Sequence, residues 1–211
     1  MQLEHYGFIG DLHTGALVSA QGSIDWLCLP RFDSDACFAA LLGTEENGFW
    51  RIAPRGTETC GEQRYRTDTL VLETKFKTEA GTVRLIDCMP PADVAHDVVR
   101  VVEGVEGEVP MKLTLAIRFD YGATVPWVRH HDGGVRAIAG PNALVFHSDV
   151  ETHGEGLTTV AEFTIAAGER RTFVLAWHRS HENGPKPVDA MKAPDQTVIP
   201  FRQPNVLGMV Y

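Results

Sequence analysis

The sequence predicts an all-β protein, a large antiparallel two-sheet β-sandwich with one or two very short helices. Three observations lead there. First, several segments alternate inward and outward positions with a period of two, as a strand with one buried face requires. Leu70, Leu72 and Phe76 alternate with Val71, Glu73 and Lys75; Leu113, Leu115, Ile117 and Phe119 alternate with Lys112, Thr114, Ala116 and Arg118; Ala161, Phe163 and Ile165 alternate with Val160, Glu162 and Thr164. Phe173, Leu175 and Trp177 continue the pattern after an Ala167-Gly168-Glu169-Arg170 turn. Second, Gly81, Gly104, Gly107, Gly133-Gly134, Gly140-Pro141-Asn142 and Gly154 fall at hairpin-like intervals. Third, helical periodicity is scarce. Many short strands with frequent turns make a sandwich.

The segment from Ile9 to Gly43 reads as strand, tight turn, strand and shaped loop. Ala16, Leu17 and Val18 form a short apolar run, and Ser19 to Ser23 suits a tight hairpin. Ile24, Trp26 and Cys28 then return with one face inward, while Asp25 points the other way. Pro30 has no N–H to donate, so the ladder ends there and Arg31 to Asp35 leaves the sheet as a loop. The best helix in the chain follows, Ser34 to Leu42. Ser34 or Asp35 would cap it, Phe38, Leu41 and Leu42 would share a side, and Gly43 would stop it.

Composition bounds the function. With 211 residues and 44% hydrophobic content the chain can bury a substantial single core. No apolar run approaches the roughly 20 residues of a membrane helix. The formal charge of −9 and the scattered Lys and Arg count against nucleic-acid binding. No secretory signal is evident, which makes the cytoplasm the expected location. Cys28, Cys37, Cys60 and Cys88 show no C-x-x-C spacing and read as reduced, buried or incidental thiols.

The run G-S-I-D-W-L-C-L-P-R-F-D-S from Gly22 to Ser34, followed by A-C-F-A-A-L-L-G, resembles the opening of the N-terminal domain of bacterial and archaeal glycoside hydrolase family 15 proteins, the glucoamylase and trehalase group. Tyr6 to Asp11, Arg84 to Pro90 and Trp177 to Glu182 extend the likeness, so that it runs from about Leu3 to Ala190. The resemblance implies a supersandwich fold, no cofactor and no metal site in this domain. It also places the general acid and general base, two glutamates, in an (α/α)6 helical barrel beyond these residues. The expectation is therefore a non-catalytic domain over residues 1–190 that packs on such a barrel and shapes its α-glucoside site. Trehalose or a glucan would be met through the barrel, and self-association is possible without it.

Several residues are candidates for a site. The Arg31, Phe32, Asp33, Ser34 loop, with Trp26 behind it, has two readings. In one, Arg31 pairs with Asp33 or Asp35, Phe32 packs beneath and the loop fixes the sandwich edge. In the other, the loop projects toward the barrel and helps wall its substrate pocket. Trp50, Trp127 and Tyr121, with Phe119, could instead form a sugar-stacking platform or pack in the core. A free-standing carbohydrate-binding or protein-interaction module is the competing function. Glu45-Glu46 reads as a solvated turn rather than a catalytic pair. His178, His181 and Glu182, and His130-His131 with Asp132, look metal-like but lack the spacing of a helical zinc motif, and read as structural.

Residues 191–211 depart from the family pattern. Pro194, Pro200 and Pro204 would each break a helix interior, so the tail is expected to be extended or disordered. It reads either as the product of a coding sequence interrupted after about Ala190 or as the end of a domain separated from its catalytic partner. In the second case Val206, Leu207, Met209 and Val210 could add to a sheet edge in a neighbouring chain.

Overall fold

The alternating segments form strands over most of their length, although Leu70, Val71 and Ile117 to Phe119 fall just outside them. The computed structural model describes residues 3–56, 60–91, 96–131, 134–184, 186 and 188–197. In chain order the strands are β1 (Tyr6–Gly10), β2 (Gly15–Ser19), β3 (Ser23–Cys28), β4 (Ala36–Phe38), β5 (Phe49–Pro54), β6 (Glu62–Tyr65), β7 (Leu72–Thr78), β8 (Gly81–Cys88) and β9 (His96–Ala116). They continue with β10 (Trp127–His131), β11 (Gly134–Ala139), β12 (Asn142–Ser148), β13 (His153–Glu155), β14 (Thr158–Ala166) and β15 (Arg170–Arg179). A single helical turn, α1 (Ala193–Gln196), and four 3-10 turns complete the described residues.

All pairings are antiparallel, and β9 belongs to both layers. One layer runs β1-β2-β3-β5-β9-β14-β13, with β4 added to β3. The other runs β6-β7-β8-β9-β15-β12-β11-β10. The first half of β9, His96 to Glu103, pairs with β15; its second half, Glu108 to Leu115, pairs with β14. The crossing falls at Gly104, where a Cβ would stand 2.0 Å from the Ala166 carbonyl oxygen, so no larger residue fits. Gly104 and Gly107 were expected to punctuate hairpins and instead lie inside one 21-residue strand, because the chain changes layer there without turning back.

Between the layers, the alternating residues named from sequence meet. Trp50 of one sheet stands edge-on to Phe146 of the other at 5.5 Å, and Phe163 tilts against Phe173 at 5.7 Å. Each fully buried large side chain of this kind contributes roughly 1.5–3 kcal/mol. A guanidinium spans the same interior. Arg100 on β9 donates to both Asp87 oxygens, to the Trp50 carbonyl at 2.6 Å and to the Gly22 carbonyl at 2.9 Å. Gly22 itself has φ +74° and no room for a side chain, with the Ile52 carbonyl 2.3 Å from where its Cβ would be.

A second apolar cluster lies on the outer face of the β8-β9-β15 layer. Ile86, Val99, Val101 and Val174 are buried there with Val71 and Cys88, and Val188, Ala190 and Ala193 pack against them. The C-terminal segment is thus a cover rather than a loose end as far as Thr197. Among its residues, 193–196 are helical and not extended as expected, because Pro194 falls in the first turn, where its missing N–H has no intrahelical acceptor. The expected sheet-edge role of Val206 to Val210 lies outside the described residues.

The predicted helix from Ser34 to Leu42 does not form. Ala36–Phe38 pairs with β3 instead, all three residues are buried, and only Ala40–Leu42 makes a 3-10 turn. The apolar stripe was misleading: Leu42 is 72% exposed. The amides of Ala39 and Ala40 bond to the Asn47 and Gly48 carbonyls across a loop rather than along a helix.

Candidate functional site at the 31–34 loop

Three segments meet at one end of the sandwich: the β1–β2 turn, the loop after β3 and the start of β9. Asp11 begins the turn. Its Oδ1 accepts the N–H of His13 at 2.9 Å and of Thr14 at 2.8 Å, which holds Leu12 at φ +77°. This is the turn chemistry a short carboxylate provides. Thr14 then donates its hydroxyl to the Cys28 carbonyl, tying the turn to the end of β3.

The 31–34 loop hangs on that turn through one backbone bond, Phe32 N–H to the His13 carbonyl at 3.1 Å. Ser34 closes the tip by donating its N–H to the Arg31 carbonyl and accepting the Arg31 N–H on its hydroxyl. Arg31 and Asp33 pair side by side, Nε to Oδ1 at 2.8 Å and Nη2 to Oδ2 at 3.3 Å, with both side chains largely in water. The Arg31 hydrogen bond and charge hold the Asp33 carboxyl below its usual range. Phe32 does not pack beneath the loop. It is 59% exposed and stacks on Phe8 at 6.4 Å, because the backbone tether to His13 turns it outward.

His96 enters the same region from β9. Its Nδ1 lies 2.7 Å from Asp11 Oδ2, and its ring stands edge-on to His13 at 5.5 Å and to Trp177 at 6.3 Å. Trp177 is held by its own N–H, which donates to Asn142 Oδ1 at 3.2 Å. Behind His96, Asp97 is buried with Oδ1 lacking any hydrogen-bond donor. Burial pushes the Asp97 pKa up to about 6, with His96 pulling it down and Asp11 pushing it up. One donor atom each from Asp11, His13 and His96 falls within 4.8 Å of the others, a set able to hold a cation.

The residues chosen from sequence divide between places. Arg31, Phe32, Asp33 and Ser34 form the exposed tip. Trp26 belongs to another cluster, where it packs on Cys28, Ala36 and Ala39 and touches Tyr121 at 6.0 Å. Trp50 is fully buried beneath Arg100 and cannot stack on a sugar, and Phe119 is buried as well. Trp127 is 70% exposed with the Arg129 guanidinium over its ring, and Tyr121 is about half exposed. No single platform unites them. Glu45 pairs with Arg51, and Glu46 is exposed in a 3-10 turn. His178 is buried with Nδ1 against the Arg179 carbonyl, His181 lies 3.9 Å from Glu182 in solvent, and His130 is exposed on β10.

Sequence reasoning missed Asp11, His13 and His96. The Asp-Leu-His-Thr turn carried a local signal, since an Asp two residues before a His can fix its amide, but His96 is 85 residues from Asp11 and only the fold joins them. A separate cavity of about 300 Å³ between β10 and the β13–β14 hairpin is lined by Leu115, Ile117, Val128, Val135, Leu157 and the buried Arg118, and, of the histidines weighed from sequence, by His130.

The profile of the family described as trehalase-like, N-terminal, matches residues 1–193. A trehalase of Thermoplasma volcanium is 30% identical over 178 residues, which cover 82% of this chain and 26% of that protein. A trehalase of Mycolicibacterium smegmatis is 31% identical over 201 residues, covering 82% of this chain and 30% of the relative, and trehalase 1 of Sulfolobus acidocaldarius is 34% identical over 148 residues, covering 69% and 25%. The chain spans between a quarter and a third of the length of these curated relatives. With nearly every described residue inside the match, the chain belongs to the trehalase-like N-terminal domain family.

Proposed function

We propose that this chain is the non-catalytic N-terminal domain of a trehalase- or glucoamylase-type glycoside hydrolase, and that its 31–34 loop helps wall the α-glucoside site of an (α/α)6 barrel. One observation carries the reading. Arg31 and Asp33 form a planar, two-bonded pair in solvent beside an exposed Phe32, an arrangement that contributes nothing to the interior and offers donors, acceptors and an apolar face to a partner. Exposed Phe8 and Leu12 extend that face. The acid and base of hydrolysis come from the barrel, and this chain alone does not hydrolyse sugars. Its partners are the barrel and, through it, trehalose or a glucan, with neither nucleic acid nor membrane involved. Four free thiols suit the cytoplasm.

The test replaces Arg31 or Asp33 by Ala in an enzyme that carries this domain joined to its barrel. Sugar affinity or activity should fall while Tm barely moves; equal loss of both would sink the reading. Pure chain should release no glucose from trehalose or maltooligosaccharides. Without the barrel, its uncovered Phe8, Leu12 and Phe32 should favour self-association, measurable by light scattering. Exposed Trp127 supports a second reading, a free-standing sugar-binding module. A flat Trp fluorescence response at millimolar sugar argues against it.

A further inference from the structure

We propose that Asp11, His13 and His96 form a divalent-metal site whose fitting occupant is zinc. The donor set comes first. Two imidazoles and one carboxylate suit Zn²⁺, whereas Mg²⁺ and Ca²⁺ prefer shells built from oxygen. Three protein ligands leave a fourth tetrahedral position for water or an oxygen of a bound molecule.

The geometry is close to what the ion needs. Ligand atoms around tetrahedral zinc stand roughly 3.3 Å apart, given bonds of about 2.0–2.1 Å. The Asp11 and His96 atoms are 2.7 Å apart around a shared proton, and all three donor atoms lie within 4.8 Å. Zinc would take the place of that proton, which leaves to solvent. His13 is exposed, so its ring can swing the remaining distance.

One further feature favours a cation over a plain hydrogen-bonded cluster. Asp11 is already oriented: two backbone amides hold its Oδ1, which leaves Oδ2 aimed at His96, the kind of support that fixes a metal ligand. The inference stands apart from the barrel-docking reading, because the site lies wholly within this chain.

The experiment uses the full 211-residue chain without a histidine tag, stripped of metal and titrated with Zn²⁺ by calorimetry. One equivalent should bind with micromolar or better affinity. His13→Ala and His96→Ala should each weaken it at least roughly tenfold, the lower bound seen even for outer-shell partners. His13→Ala changes an exposed side chain, so its circular dichroism should match the parent. Cys60→Ser, at the exposed thiol, should bind as tightly as the parent. With Co²⁺ in place of zinc, the visible bands of a tetrahedral ion should appear without a sulfur-to-metal charge-transfer band. Absence of uptake by the parent at submillimolar Zn²⁺, undiminished uptake by the doubly substituted His13→Ala/His96→Ala chain, or a thiolate band would each overturn the proposal.

Discussion

Arg100 and Asp87 form an ion pair with neither side chain exposed to solvent, and Arg100 spends its remaining donors on carbonyls of the opposite layer. Removing one partner of such a pair costs roughly 3–5 kcal/mol, because the other charge is left buried. Asp87→Ala should therefore lower Tm by roughly 2–4 °C for each kcal/mol lost. In Asp87→Leu/Arg100→Met the loss should be smaller than the sum of the single losses, measured as a double-mutant cycle. It should not vanish, since the Trp50 and Gly22 carbonyls lose their donor.

Glu73 gives the acid limb of stability a specific residue. Its side chain is 4% exposed, and it accepts from Arg64 at 2.7 Å and Arg66 at 2.7 Å, with Arg84 at 3.5 Å. Burial raises its pKa, but the bonds from Arg66 and Arg64 and the charge of Arg84 outweigh this and hold it below the usual range. A carboxyl lowered on folding stabilises above its unfolded pKa and loses that contribution as pH falls through the folded value. Glu73→Gln should cost roughly 1.5–3 kcal/mol at neutral pH, as for hydrogen bonds to charged groups. Its stability should then fall less steeply than the parent's in an acid titration followed by urea unfolding.

Thiol chemistry should separate one cysteine from three. Cys60 is exposed, while Cys28, Cys37 and Cys88 are buried. Burial raises the pKa of Cys28 and Cys37 and pushes that of Cys88 up to about 12. Since the thiolate is the reactive form, a disulfide reagent should consume one equivalent rapidly in the native protein and four after denaturation. Cys60→Ser should abolish the rapid phase.

The C-terminal cover should matter to solubility as well as stability. Ala193 is fully buried against Val99, Val101 and their neighbours. Ala193→Glu places a carboxylate on that apolar face and should cost more than the roughly 1–3 kcal/mol of burying an uncharged polar group. Increased binding of a hydrophobic dye at unchanged strand content would show that the segment has lifted.

The period-two segments were legible because alternation is a local property: Leu113 to Phe119 and Phe173 to Leu175 bury the residues the pattern names. The continuity of β9 was not, because Gly104, Gly107 and Pro110 are breakers in most contexts and only the crossing between layers makes them strand residues. Ser34 to Leu42 failed for the opposite reason. Its spacing fits a helix, but pairing with β3 satisfies more of its backbone. At the candidate site, the tip was readable as a local Arg-Phe-Asp-Ser run after Pro30. The Asp11, His13 and His96 group was not, since its members come from two hairpins that sequence alone does not bring together.

The single long strand shared by both layers has a consequence for how this domain denatures. Neither layer keeps its hydrogen-bonded centre once β9 is released, so the halves cannot melt one at a time. A scanning calorimeter should register one endotherm whose van't Hoff and calorimetric enthalpies agree, and amides at both ends of β9 should exchange with deuterium only through that global event.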